Sequence, residues 1–329
     1  MLNWYLQTGK DSDVVISCKV NLARNLSQFN FYIKEEQEIL KLEKLLQENL
    51  LQIGYGLKYF KLRNLGKNEI QSLLEKNLID QNMVRNKDIT SILINDEENI
   101  CIHINNEDHL RLQAFASGLE IDAISNLAIE IDEKIQSMFS ISKNPKYGYL
   151  TLSPTNVGTG MKISVMLHLP ALTKTRNIQK IIKFVRQFGI EISKIQNPDI
   201  YEISNERTLG ITEEDIIKNL KAISQKIIEQ ERGARKLLTE NKVELEDNVL
   251  RSYGILSNCR KITRKEAEEL LSNVKLGTDL GIITNLTDAK VKRLYLYVKP
   301  ANLKQYFGQE ANLEEDIKRA EMIKQITKD

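Results

Sequence analysis

Four stretches of this chain gather side chains that can do chemistry. Asn105-Asn106-Glu107-Asp108-His109-Leu110-Arg111 follows a strand pattern and puts two carboxylates, an imidazole and a guanidinium within seven positions. Pro154-Thr155-Asn156-Val157-Gly158-Thr159-Gly160 is a small-residue loop between two strand patterns, able to bring backbone N–H groups close to an anion. Ser17-Cys18-Lys19-Val20-Asn21-Leu22-Ala23-Arg24 combines a strand pattern with cationic side chains. Glu246 to Gly254 sets Asp247 and Arg251 four residues apart, on one face of a helix. Each stretch also has an ordinary reading. An Asp–Arg pair at this spacing serves as a solvated ion pair, and Gly and Asn serve turn geometry anywhere. His109 beside Asp108, and His103 and His168 inside strand patterns, read as hydrogen-bonded structural histidines.

The elements that position these stretches follow from periodicity. Apolar residues keep helical spacing over Glu35–Gln52 and Lys67–Leu78. Ser91–Asn95 and Ile100–Asn105 are β-branched runs joined by the polar turn Asp96-Glu97-Glu98-Asn99, a hairpin pattern. Gly118–Met138 reads as a helix, and Tyr149–Leu152 and Ile163–Leu169 as strands. Asn177–Phe188 reads as a helix stopped by Gly189, followed by strands around Ile190–Ile195 and Ile200–Ser204. Beyond about residue 210 the pattern turns helical. Thr212-Glu213-Glu214-Asp215 caps a helix running towards Lys236, Leu245–Leu256 continues the pattern, and Thr263-Arg264-Lys265-Glu266 is a capping box opening another. This places a mixed strand-and-helix domain over 1–225 and a helical domain over 226–329.

Composition narrows the function classes. With 47 basic against 45 acidic residues the net charge is +2, which excludes a strongly basic nucleic-acid binder. The three cysteines, Cys18, Cys101 and Cys259, are scattered without a CxxC pair, so no metal framework is expected. No apolar run approaches the ~20 residues of a membrane span, and MLNWYLQTGKDSD does not read as a leader. A cytoplasmic location is expected.

Taken in order, the stretches resemble the ATP:guanido phosphotransferases, and more narrowly the bacterial protein-arginine kinases of the McsB type. Asn105–Gln113 is similar to that family's Asn-Glu-Glu-Asp-His-Leu-Arg signature at all but Asn106. Ser153–Leu172 resembles its Cys-Pro-Thr-Asn-Val-Gly-Thr-Gly segment. Glu202–Gly210 and Leu245–Leu256 resemble further signatures, the latter specific to the McsB branch. The likeness runs from about Asn3 to Gly308. It implies an α+β fold, an antiparallel sheet flanked by helices, followed by a helical C-terminal domain. It also implies transfer of the γ-phosphoryl of ATP, with Mg²⁺, onto a protein arginine. By the same likeness Glu107 is the catalytic glutamate, and Lys19, Asn21, Asn77, Arg111 and Lys162 occupy nucleotide-binding positions.

Several of those positions depart from the family pattern. Where the family carries Ser-x-Arg-x-Arg, this chain reads Ser17-Cys18-Lys19-Val20-Asn21, and its Leu-x-Glu-Lys-His motif appears as Leu73-Leu74-Glu75-Lys76-Asn77. The arginine beside the glycine loop is Lys162 and the loop cysteine is Ser153. After Gly189 the family's loop with a further arginine and second glutamate is missing, leaving a tight hairpin through Gln196-Asn197-Pro198-Asp199. A planar guanidinium grips phosphate bidentately and an ammonium does not. Losing one preorganised donor costs about 10²–10³ in rate, and a phosphate-neutralising arginine is worth roughly 10³–10⁵.

The resemblance therefore implies a catalytically degenerate homologue that acts as a phosphoarginine- or protein-binding adaptor in protein quality control. The alternative is an active, divergent protein-arginine kinase. In the helical domain Asp247, Arg251 and Ser252 keep the groups a phosphoarginine site needs. The partners it implies are arginine- or phosphoarginine-bearing proteins, a ClpC-type protease component or an active paralogue, and a second copy in a homodimer. Nucleic acid and membrane are not expected.

Overall fold

The computed structural model describes residues 3–33, 35–195, 198–308 and 314–328. Its strands, in chain order, are β1 (Val15–Arg24), β2 (Lys58–Lys61), β3 (Ser91–Ile94), β4 (Ile100–Ile104), β5 (Leu110–Ser117), β6 (Lys143–Asn144), β7 (Gly148–Tyr149), β8 (Met161–His168), β9 (Ile190–Lys194) and β10 (Ile200–Asn205). Eight of them form one antiparallel sheet in the order β2-β3-β4-β5-β1-β8-β10-β9, while β6 and β7 pair separately. The expected strand at Tyr149–Leu152 thus shrinks to the short β7.

The two faces of the sheet differ because side chains alternate along each strand. Cys18, Val20 and Leu22 of β1 share one face with Leu112 and Ala114 of β5, Ile163 and Val165 of β8, and Ile203 of β10. All of these are buried, and the helices Ile121–Met138 and Glu213–Glu240 pack on them. Each such aliphatic side chain contributes about 1.5–3 kcal/mol by leaving water. The opposite face carries Arg111, Gln113 and Phe115 of β5, Lys19 and Asn21 of β1, Lys162, Ser164 and Met166 of β8, Glu202 of β10 and Glu191 of β9. This is the polar face.

The 213–240 helix opens on the expected capping box, with Thr212 Oγ1 accepting from the Asp215 N–H at 3.1 Å and donating to Asp215 Oδ2 at 2.6 Å. It runs past Lys236 to Glu240. Residue 225 lies inside it, and Ile227, Ile228 and Ala234 belong to the first core. The second core begins at Leu245 and is built from helices Lys242–Asn258, Arg264–Asp279, Asp288–Tyr297, Pro300–Tyr306 and Glu315–Lys328. The cores therefore divide after Ala234 rather than at 225, because the helix continues to bury its apolar stripe against the sheet. Ile16 and Ile200 join the second core, which brings the helical layer against one end of the polar face.

Candidate functional site on the polar face of the sheet

Register sets the lateral order of the polar face. Asn21 lies opposite Gln113 on one side and Lys162 on the other, and Lys19 lies between Phe115 and Ser164. Asn21 is part of an amide ladder: its Nδ2 donates to Lys162 O at 3.3 Å, and its Oδ1 accepts from Gln113 Nε2 at 3.0 Å. Arg111 donates to Glu107 at 2.6 Å and stands 3.7 Å from Asp80. Burial pushes the Asp80 carboxyl up, but the Met83 N–H, the Asn106 amide and the charges of His103 and Arg111 outweigh it, holding Asp80 below its ordinary value. Lys162 faces Glu191 at 3.6 Å. Lys19 sits over the Phe115 ring, 6.0 Å from its centroid. Burial draws its ammonium below the ordinary lysine range; Arg111 and Lys162 add to the fall, and Glu202 and Asp80 oppose it.

The acidic loop is fixed by its own buried groups. Asp108 Oδ1 accepts from Asn25 Nδ2 and from Leu152 N, both at 2.8 Å, which ties the loop to the end of β1 and to the segment before Ser153. His109 Nδ1 accepts from Leu26 N at 3.1 Å and its Nε2 faces Asn30 O at 2.8 Å, so the ring is neutral and structural. His103 bonds Leu78 O at 2.7 Å, and burial lowers it to about 4. His168 bonds Ser272 at 3.0 Å and burial holds it well below its ordinary value. Arg24 is structural too. It grips Asp132 at 2.8–3.2 Å, reaches Thr159 O at 3.0 Å and stacks 3.6 Å from the Tyr149 ring centroid.

Four N–H groups of the glycine loop are already committed to carbonyls rather than open to an anion. Asn156, Val157, Gly158 and Thr159 donate to Ser153, Pro154, Tyr149 and Thr208 carbonyls respectively. Its glycines answer to close approach instead. A Cβ on Gly158 (φ +116°) would lie 2.1 Å from Thr208 O, and one on Gly160 (φ +63°) would lie 2.5 Å from an Arg24 nitrogen. The β9–β10 hairpin is as short as expected, with Lys194 opposite Tyr201 and Ile195 N bonded to Ile200 O at 2.9 Å. Its turn residues Gln196 and Asn197 lie outside the described residues.

Asn77 ends the Lys67–Glu75 helix in the left-handed region (φ 58°), a conformation Asn tolerates well. It lines a cavity of about 660 Å³ between the polar face and the helical layer. Lys19, Glu202 and Phe115 line it from the sheet, and Arg264, Tyr295 and Lys299 from the helices. Two neighbours of Asn77 were not legible as site-building residues. The buried Glu75 carboxylate caps the Pro300–Tyr306 helix by accepting from Ala301 N and Asn302 N at 3.0–3.1 Å, and Lys299 Nζ returns a 2.7 Å bond to Glu75 O. Pro300 at the first turn was the available signal for that helix start. Glu75 falls in the Leu73–Asn77 motif, but nothing local marks it as the cap of a distant helix.

In the helical domain Asp247 and Arg251 meet at 3.2 Å with their side chains 62% and 75% exposed. Ser252 faces inward. It is 4% exposed, its Oγ donates to Asn248 O at 2.7 Å, and it accepts from Asn273 Nδ2 at 3.1 Å. Arg251 and Ser252 share a shallow concavity of about 500 Å³ with Asn248, Gly254, Ile255 and Leu270. Among the described residues no cluster of three or more His, Cys, Asp or Glu could hold a metal ion, and no helix is long and apolar enough to cross a membrane.

Solved structures share this architecture. Lombricine kinase superposes with a TM-score of 0.59 at 21% identity, covering 69% of this chain and 68% of its own. The duplicated taurocyamine kinase from Schistosoma mansoni, with bound transition-state-analogue components, gives 0.59 at 24% identity over 68% of this chain and 33% of that one. The fold is that of the phosphagen kinases. Residues 39–234 match the ATP:guanido phosphotransferase C-terminal catalytic domain, and 242–329 match the protein-arginine kinase McsB C-terminal domain. A protein-arginine kinase from Halothermothrix orenii is 40% identical over 98% of this chain and 95% of its own length. The chain belongs to the ATP:guanido phosphotransferase family, in its McsB-type protein-arginine kinase branch.

Proposed function

We infer that this McsB-type chain is a degenerate protein-arginine kinase that serves as an adaptor, recognising phosphoarginine- or arginine-bearing proteins through its helical domain. The observation that carries the reading is the state of the polar face. Arg111 already holds Glu107 at 2.6 Å, Lys162 faces Glu191 at 3.6 Å, and Asn21 is spent in an amide ladder with Gln113. Family membership makes Mg²⁺·ATP the co-substrate to test. These residues suit a triphosphate poorly, because Arg111 and Lys162 must each first release a carboxylate, Lys19 offers only a point charge where a guanidinium would grip bidentately, and an amide neutralises nothing. Glu107, Lys19, Asn21, Asn77, Arg111 and Lys162 are thus vestiges of a nucleotide and acceptor site.

In the helical domain Asp247 and Arg251 stand in solvent, where a phosphoguanidinium can meet Arg251 through its anionic end and Asp247 through its cationic end. Ser252, already donating and accepting once, shapes the floor of the concavity. Val243 and Leu250, 80% and 51% exposed and seven residues apart on one helix face, support a second copy of the chain as a partner. A protease component of the ClpC type and an active paralogue are the further partners this reading names.

The second reading, an active divergent kinase, draws on the curated name of the 40%-identical relative and on the retained Glu107 and Arg111. The deciding experiment incubates the protein with Mg²⁺·ATP and an arginine-rich acceptor and reads phosphoarginine by mass spectrometry. The adaptor reading expects no product above the enzyme-free blank, together with saturable binding of free phosphoarginine. Multiple turnovers would establish the kinase instead.

A further inference from the structure

We propose that Lys19 is an acylation site, an amine nucleophile reached through the cavity between the two cores, which takes an acyl group from an acyl phosphate.

Four lysines among the described residues are drawn below the ordinary lysine range by burial: Lys19, Lys174, Lys292 and Lys299. Three of them have their Nζ committed. Lys174 donates to Asn273 Oδ1 at 2.8 Å, Lys292 to Gln7 O and Ser117 Oγ at 2.8 Å, and Lys299 to Glu75 O at 2.7 Å. Lys19, among the described residues, has neither a hydrogen-bond acceptor nor an ion pair, and its Nζ lies over the Phe115 ring in a wall extended by the stacked Trp4, 5.4 Å from Phe115. An amine in that setting has no carboxylate at ion-pair distance among the described residues, and burial disfavours its charged form. The cavity of about 660 Å³ gives a small donor room to enter.

The lining selects the donor. Lys299, whose Nζ bonds a carbonyl and no carboxylate among the described residues, brings positive charge to the wall and suits an anionic leaving group, while Lys76 and Arg264 are ion-paired with Glu98 and Glu268 and Glu75 is engaged in its helix cap. The charged groups facing Lys19 are Glu202 from β10, Asp80 from the turn before the Gln81–Arg85 helix, Arg111 from β5 and Lys162 from β8. Across the cavity stand Arg264, Glu268 and Lys299 of the helical domain. In the reaction the Nζ lone pair attacks the acyl carbonyl carbon and an N–C bond forms. The C–O bond to phosphate breaks, phosphate leaves with that electron pair, and the surplus Nζ proton passes to phosphate or water. The product is a neutral amide. Since Arg111 and Lys162 are ion-paired, acylation removes the polar face's one cation without a carboxylate partner among the described residues.

The test uses the purified full chain and acetyl phosphate as the probe, with acetylation of each lysine followed over time by peptide mass spectrometry at pH 7 and pH 9. Lys19 is expected to react faster at pH 7 than the exposed Lys180 and Lys183, which have no ion pair among the described residues, since a lowered pKa gives more free amine. The ratio should shrink at pH 9. Lys299, in the same cavity but hydrogen-bonded, should stay unmodified. Glu202→Gln, which removes a charge favouring the ammonium, should raise the Lys19 rate. A Lys19 rate at or below that of Lys180, equal labelling of Lys299, or a Lys19 rate indifferent to Glu202→Gln would each overturn the proposal.

Discussion

The proposed function asks two surfaces of this molecule to offer an arginine to a phosphoryl group, and they differ in what the arginine already holds. On the polar face Arg111 is drawn into a three-carboxylate environment, at 2.6 Å from Glu107, 3.7 Å from Asp80 and 4.0 Å from Asp108. On the helical domain Arg251 has one partner, Asp247, on a surface where water screens the pair. Releasing the first arginine means undoing a half-buried network. Releasing the second costs at most about 1 kcal/mol. The proposed reading, eroded catalysis beside retained recognition, rests on that contrast.

The comparison breaks first at Arg251. Arg251→Ala should abolish saturable phosphoarginine binding while lowering unfolding free energy by no more than about 1 kcal/mol. Titration calorimetry beside urea denaturation separates the two quantities, and wild-type protein without saturable binding would remove the adaptor reading. Next comes Arg24, one register position from Arg111 on the neighbouring strand, since Ala23 faces Arg111. Arg24→Ala leaves Asp132 buried and unpaired and should cost about 3–5 kcal/mol. A loss below about 1 kcal/mol would mean that the Arg24–Asp132 pair on the buried face is not a structural tie.

A smaller effect is expected from repair. Lys19→Arg, Asn21→Arg and Lys162→Arg together should strengthen Mg²⁺·ATP binding by about tenfold, roughly the 1.4 kcal/mol of one added charge-assisted contact. Phosphotransfer should not return, because the loop that carries the family's second glutamate is missing between β9 and β10. Full arginine phosphorylation by the triple variant would contradict this.

The smallest effect lies in pH. His103, His109 and His168 are all held below their ordinary value, burial being the first cause in each. The unfolded chain protonates them near pH 6.5 while the folded chain resists, so their neutral-state stability is complete above that value. It is lost as pH falls through the window towards about 4, the value for His103. Each histidine contributes a slope of up to about 1.4 kcal/mol per pH unit. Urea midpoints at pH 7 and pH 5.5 should show the decline, and His168→Asn should make it shallower. An unchanged slope in that variant would mean His168 is not held neutral.

The sequence alone determined what is local. Alternation along Val15–Arg24, the helix caps at Thr212 and Thr263, the β-branched hairpin at 91–104 and the helix stop at Gly189 are all properties of neighbours within a few residues. So are the motif stretches that carry the family likeness. Tertiary structure decided which polar groups are spoken for. Arg24 meets Asp132 across 108 residues, Glu75 caps a helix 226 residues away, and the glycine loop gives an N–H to Thr208. It also decided that the first core extends to Ala234, where spacing had suggested a break near 225. A side chain's type fixes what it can bond. Strand register and the docking of one layer on another fix which partner reaches it first, and a buried donor or acceptor left without one costs about 1–3 kcal/mol.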